Sequence, residues 1–291
     1  MDSIFSGEAR DLVDRSARPQ SLIITIYAAY SRSNGGWFSA NTIVQLCTEL
    51  DVAEDAARSA LARFKRRGIL ISKKQNGVIG YAISPEMRKS FDQGDARVLQ
   101  RRDLPTNEGW ILVAFSIPEK MRSVRYQLRS RLTRIGFAQV SGGLWIAPRQ
   151  LSSDAIALAK TLKVEKYMNI FSAEHIAFTP TTSAVQSWWD LDGIQEVYRS
   201  FNNTAKPVIK HWAGKVNVTD TGRAFRDYTT ILTNWRHAPY FDPGLPGEFL
   251  PKTWAGYEAT ESFFKIHDKL AGPALNYVFN TAKKQSKIPF N

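Results

Sequence analysis

Cysteine is nearly absent from this sequence. Cys47 is the only one in 291 residues, so no intramolecular disulfide forms and no cysteine-rich zinc site can be assembled. Histidine is scarce too: His175, His211, His237 and His267 show no short ligand spacing. No apolar run approaches the roughly 18 residues that a membrane-spanning helix needs. Residues 1–18 are charged and lack the apolar core of a secretory leader. Internal repeats and low-complexity tracts are missing as well. These absences predict a soluble, cytoplasmic protein with no metal, no cofactor and no membrane partner.

What is present is positive charge and large apolar side chains. Lys and Arg number 39 against 27 Asp and Glu, a formal charge of +12, and such an excess favours polyanionic partners. Hydrophobic residues make up 43% of the chain, with 8 Trp, 16 Phe and 10 Tyr, enough to build real cores. The length suits two or three domains. A polar, Pro- and Gly-containing stretch at residues 100–109 reads as a linker, and a weaker boundary falls at 179–183. The expected division is therefore 1–102, 103–179 and 180–291.

In the first segment, Leu22, Ile23, Ile26, Tyr27 and Tyr30 share one face of an expected helix, and Trp37-Phe38 is a short strand. Ser39 stands as an N-cap before Ile43, Val44, Leu46 and Cys47. A third helix runs from Glu54 to Arg67, with acids at its start, bases at its end and Gly68 to stop it. Its Ala57, Ala60, Leu61 and Phe64 recur at helical spacing and form a buried face. Arg58, Ser59, Ala62, Arg63 and Arg66 fall on the opposite side. Ser59 and Ala62 are small enough for that side to lie close in a major groove, where the flanking arginines reach base edges and phosphates. Two β-prone runs then meet at Asn76-Gly77, a strong hairpin signal. From Glu54 to Lys74 there are seven basic residues against two acidic. Helix, short strand, helix, turn, basic helix and basic hairpin is the order of a winged helix-turn-helix. The candidate DNA-contacting residues are Arg58, Ser59, Arg63, Arg66 and Arg67 on the helix, with Lys73, Lys74 and Asn76 on the hairpin.

In the second segment, Trp110 to Ser116 is a buried strand, and a helix carries Met121, Val124, Leu128, Leu132 and Ile135 on one side with Arg122, Arg125 and Arg129 on another. Strands at 137–140 and 144–147, a helix at 154–162 and a strand at 164–170 complete β-α-β-β-α-β, a ferredoxin-like plan. The arginine row is either a solvated face or a contact to DNA phosphates, a partner subunit or the phosphates of a coenzyme A thioester. The third segment is mainly helical and holds a proline-rich loop, Pro239 to Pro246 followed by Leu250-Pro251.

Several stretches resemble PaaX-type repressors, the regulators of phenylacetic acid degradation and related aromatic catabolism. They are Ser16 to Thr25, Gly36-Trp37-Phe38, Arg58 to Gly68, Tyr81 to Pro85 and Gly94 to Leu99. The middle segment, from Trp110 through Gly143 to Pro148, is similar to that family's central domain. That domain resembles in turn the CRISPR-associated nuclease Cas2. Asp242-Pro243-Gly244-Leu245-Pro246, Leu250-Pro251, Trp254-Ala255-Gly256, Phe263 and Phe264 match the family's C-terminal pattern. One departure stands out: Thr233 precedes Asn234-Trp235-Arg236 where the family usually has a His.

The resemblance implies an α+β multidomain protein and a homodimeric repressor on an inverted-repeat DNA operator. An aromatic or aryl-CoA effector would release it. Candidate effector contacts are Trp110, Arg122, Trp145, Trp235, Arg236, His237 and Tyr240. No catalytic residue is expected, because a Cas2-like nuclease needs a carboxylate at the end of its first strand and Ser116-Ile117-Pro118 stands there, with Glu119 the first acid. A metal-dependent nuclease and a non-specific architectural DNA-binding protein are the alternatives.

Overall fold

The computed structural model describes residues 19–85, 87–88, 98–99, 106–176, 178–236 and 238–286. It is a mixed α+β molecule with two antiparallel sheets and two compact units, which do not follow chain order. One unit gathers the described residues up to Arg102, Tyr198–Arg236 and those from Gly256 onward; the other holds the described residues of Asp103–Val197 and His237–Ala255.

The first unit begins with α1 (Pro19–Tyr30), β1 (Trp37–Ser39), α2 (Ala40–Glu49) and α3 (Glu54–Arg66). The Ser39 side chain accepts a hydrogen bond from the Thr42 amide at 3.0 Å, so the predicted N-cap forms. Between α2 and α3, Asp51 turns the chain with φ +59. Strands β2 (Leu70–Gln75) and β3 (Val78–Ile83) pair in register from Leu70–Ile83 to Gln75–Val78. Asn76 and Gly77 both have positive φ, the backbone signature of the tightest two-residue hairpin turns. β1 adds to the other edge of β3, giving the order β1-β3-β2. Gly80 is required there, because a Cβ would run into the Phe38 carbonyl and the Trp37 ring.

Three C-terminal helices complete this unit: the later part of α7 (Leu191–Trp212), α8 (Thr221–Trp235) and most of α10 (Ala255–Ser286). The hydroxyls of Tyr30 on α1 and Thr229 on α8 share a 2.8 Å hydrogen bond, and Thr233 Oγ1 lies 2.9 Å from Thr25 Oγ1. Glu49 on α2 is clasped by Arg226 of α8 and by the Tyr277 hydroxyl of α10, the latter at 2.7 Å. Trp235 is fully buried and stacks on Phe263 with ring centroids 4.6 Å apart. Truncating an aromatic ring held this way costs about 3–5 kcal/mol.

The second unit is built on the sheet β5-β6-β4-β7: β4 (Trp110–Phe115), β5 (Ala138–Ser141), β6 (Leu144–Pro148) and β7 (Met168–Ala173). α4 (Arg122–Arg134) follows β4 and α5 (Ser152–Leu162) follows β6. Ile111, Val113, Leu128, Leu132, Trp145, Ala155 and Leu158 form the core between the helices and one face of the sheet. The last strand begins later than the periodicity predicts, at Met168 in place of Val164. Lys163 takes a left-handed conformation (φ +55) after α5, and the Val164 amide bonds back to the Ala159 carbonyl. Val164 is therefore buried as the apolar plug of a helix C-cap, outside the strand. Two more helices belong to this unit: α6 (Thr181–Trp188), whose following residue Trp189 donates its indole N–H to the Gly136 carbonyl at 3.0 Å, and the short α9 (Ala238–Phe241). No helix among the described residues is long and apolar enough to cross a membrane.

Candidate nucleic-acid interface

α3 is two-faced, as its spacing predicts. Ala57, Ala60, Leu61 and Phe64 are buried against α1 and α2, while Arg58, Ser59, Ala62, Arg63, Lys65, Arg66 and Arg67 are exposed. The burial holds the helix in place, and the outward face is left with two small residues between arginines. Glu54 and Asp55 in the first turn and Arg63, Lys65 and Arg66 in the last complement the helix dipole. Arg58 pairs with Glu54 at 3.6 Å across one turn; both are exposed, so the pair is worth little and leaves the guanidinium available. Gly68 (φ +67) ends the helix, and the Ile69 amide returns to the Phe64 carbonyl, turning the chain directly into β2.

The hairpin stands beside it. Lys73, Lys74 and Asn76 are all exposed, and the Trp37 indole donates to the Lys73 carbonyl at 2.9 Å, anchoring β2 to β1. A hollow of about 460 Å³ at its base is lined by Trp37, Ile71, Lys73, Pro85 and Arg88 among others. All eight residues predicted to contact DNA thus lie on the exposed side of one helix or on the hairpin that follows it. Behind them Cys47 is buried, and burial pushes its thiol up to about 12, so at neutral pH it is an inert apolar filler.

The expected effector contacts are divided between the two units. Trp235 and Arg236 belong to the first unit, where Trp235 donates to the Val98 carbonyl at 2.9 Å and Arg236 to Thr25 Oγ1 at 3.2 Å. Trp110, Arg122 and Trp145 belong to the second unit. There the register pairs Val113 with Trp145 and Trp110 with Pro148, which puts the two indoles on opposite faces of the sheet. Trp145 is in the core, and its N–H has no hydrogen-bond partner among the described residues. Trp110 stacks on Trp189, with Trp188 edge-on to it, Phe249 tilted against it and His175 edge-on to Trp188. Sequence reasoning missed this aromatic cluster as a unit, although Trp188-Trp189 is visible as a pair. Arg122 is exposed on α4. His237 lies outside the described residues, and for Tyr240 only the backbone is described.

At the place where a nuclease would need its carboxylate, Ser116 is exposed and Glu119 is held by Arg125 at 2.8 Å. No group of three or more His, Cys, Asp or Glu is placed to hold a metal ion among the described residues.

Comparison with known proteins matches three family models in succession. The PaaX-like protein model matches residues 18–87, the PaaX central Cas2-like domain 103–185 and the PaaX-like C-terminal domain 189–280. The chain belongs to the PaaX family. Transcriptional repressor PaaX of Escherichia coli (strain K12) is 23% identical over 262 residues, 89% of this chain and 82% of that protein. Among solved structures, the uncharacterized protein Rv0674 from Mycobacterium tuberculosis aligns with a TM-score of 0.55 at 20% identity. It covers 91% of this chain and 99% of its own, a likeness of fold alone. The PaaX family assignment covers all three sequence segments, including the basic helix and hairpin.

Proposed function

We propose that this protein is a cytoplasmic DNA-binding transcriptional repressor that reads its operator through a winged helix-turn-helix. The observation that carries the reading is α3: a helix with one face buried, two small residues and three arginines on the other, a fourth arginine at its C-cap, and a cationic hairpin directly after it. α2 and α3 are the helix-turn-helix, α3 is the reading helix and β2–β3 is the wing. The name of the Escherichia coli relative, a transcriptional repressor, agrees with this. Arg58, Ser59, Arg63, Arg66 and Arg67 meet the major groove and its phosphates, while Lys73, Lys74 and Asn76 meet the backbone or minor groove. The four-stranded unit, with strand order β5-β6-β4-β7 and two helices on one face, fits a ferredoxin-like domain. It works without catalysis: Glu119 is engaged by Arg125 and is a poor metal ligand there.

The repressor acts as a homodimer on an inverted repeat, with the reading helices one or more DNA turns apart. Its effector is an aromatic compound or an aryl-CoA thioester. Since Trp110 and Trp145 face away from each other, the effector is best served by the Trp110 side, where Trp188 is half-buried beside Trp189, Phe249 and His175. Release requires that the ligand bind the DNA-free state more tightly than the DNA-bound one. The test is an anisotropy titration on DNA from the gene's own promoter and on scrambled DNA, with and without a panel of aromatic acids and their coenzyme A thioesters. Selective binding reversed by one ligand is expected. Equal affinity for both duplexes, unmoved by every ligand, would replace this reading with that of an architectural DNA-binding protein.

A further inference from the structure

The recognition helix is not the most cationic helix of the molecule. α4, Arg-Ser-Val-Arg-Tyr-Gln-Leu-Arg-Ser-Arg-Leu-Thr-Arg, holds five arginines and no acid in 13 residues. Only Leu128 and Leu132 are fully buried; they fix the helix to the sheet, and most of its remaining surface faces solvent. Among the described residues the ion pairs of this helix reduce to one, Arg125 with Glu119 at 2.8 Å. Arg129 donates to the Gln139 side chain at 2.7 Å, a neutral acceptor that orients the guanidinium and leaves its charge in place. Arg122, Arg131 and Arg134 are exposed. Tyr126 stands on the same face as Arg122 and Arg129, at i, i+4 and i+7, and is 75% exposed.

Concentrating like charges around an uncovered aromatic ring costs self-repulsion and exposed apolar surface, and both costs are relieved by one kind of partner. We propose that the outward face of α4 is a second nucleic-acid surface, which grips the phosphate backbone of double-stranded DNA without reading its bases. The proposal rests on the DNA-binding reading above and extends it to the second unit. The helix is about 20 Å long, and double-stranded DNA carries one charge per roughly 1.7 Å of its axis, so the arginine row meets several phosphates at once. Arg is suited to bidentate phosphate contacts, and a Tyr hydroxyl donates to phosphate oxygens as well. A coenzyme-sized ligand fits less well, because such ligands are held by burying most of their surface in a concavity, and these side chains project from a convex helix. Like charge disfavours a second copy of α4 on this face.

The test uses the full-length triple variant Arg122→Gln, Arg129→Gln, Arg134→Gln. These side chains are exposed and glutamine keeps the helix propensity, so the melting temperature should not move. Binding to promoter DNA and to scrambled DNA of equal length is measured by anisotropy over a range of salt concentrations. The plot of log Kobs against log salt should become shallower by about 2–3. Both duplexes should weaken together, leaving their affinity ratio unchanged. Wild-type binding with an unaltered slope in the variant overturns this inference and leaves the recognition-helix reading standing. The inference also fails if the slope is unaltered while aryl-CoA affinity or the sedimenting mass changes, since the face then belongs to a ligand or a partner subunit. Absence of DNA binding by the wild type overturns both readings together.

Discussion

α3 and α4 are both 13-residue helices rich in arginine, and they differ in how their exposed faces are built. α3 starts with two acids, gathers its bases toward the C-terminal end and shows small side chains at Ser59 and Ala62. α4 spreads arginines along its whole length and raises Tyr126 from the middle of its face. A major groove about 12 Å wide accepts a helix only when the inserted face is slim, so α3 suits base reading and α4 suits the outside of the duplex. Net charge does not distinguish the two; the size of the side chains between the arginines does.

The change that should damage this contrast most is Ala62→Glu. It places bulk and negative charge at the centre of the slim face, where the helix would otherwise approach base edges. Loss of at least ~3 kcal/mol of operator affinity, roughly two orders of magnitude, is expected. Ala62 is exposed, so the melting curve should be unaltered. Operator binding that survives this substitution would remove α3 from the groove.

Next in size is Arg63→Ala. If α3 reads bases, its loss costs about 1–3 kcal/mol on the operator and much less on scrambled DNA, so the ratio of the two affinities collapses. The α4 variants should behave oppositely, shifting both affinities and leaving the ratio alone. Competition titrations on the two duplexes separate the cases. An Arg63→Ala protein that weakens both duplexes equally would turn α3 into a backbone helix like α4.

Much of α3 was legible before any coordinates, because its determinants are local. The spacing of Ala57, Ala60, Leu61 and Phe64, the Ser39 cap, the Gly68 stop and the Asn76-Gly77 turn each depend on residues a few positions apart. The β7 boundary was misplaced because Lys163, which is neither Gly nor Asn, takes the left-handed position and hides the helix end. The effector contacts were the least legible part. Which indole shares a face with which depends on strand register, and Trp110 and Trp145 belong to different strands whose pairing has no local signature. The grip of the C-terminal helices on α1 and α2 was equally invisible. Glu49 and Tyr277 are separated by 228 positions, and neither residue type announces such a pairing.

That grip gives the smallest effect and the finest test of the comparison. Glu49 ends α2, the helix that supports α3 from behind, and it accepts hydrogen bonds from both Arg226 and Tyr277. Tyr277→Phe removes one hydrogen bond to a charged acceptor while keeping the ring stacked on Phe225. A stability loss of about 1 kcal/mol is expected in chemical denaturation, with the salt slope of DNA binding unchanged. The phenol is pushed up to about 12, first by burial and then by Glu49. Its folded value therefore lies above its unfolded value near 10, so the wild-type advantage is complete below about pH 10 and is lost as pH rises toward 12. The Phe variant has no such group, and the two stability curves should converge in that window. Curves that stay parallel through it would mean that the hydroxyl contributes nothing to holding α2, and that α3 is positioned by its apolar face alone.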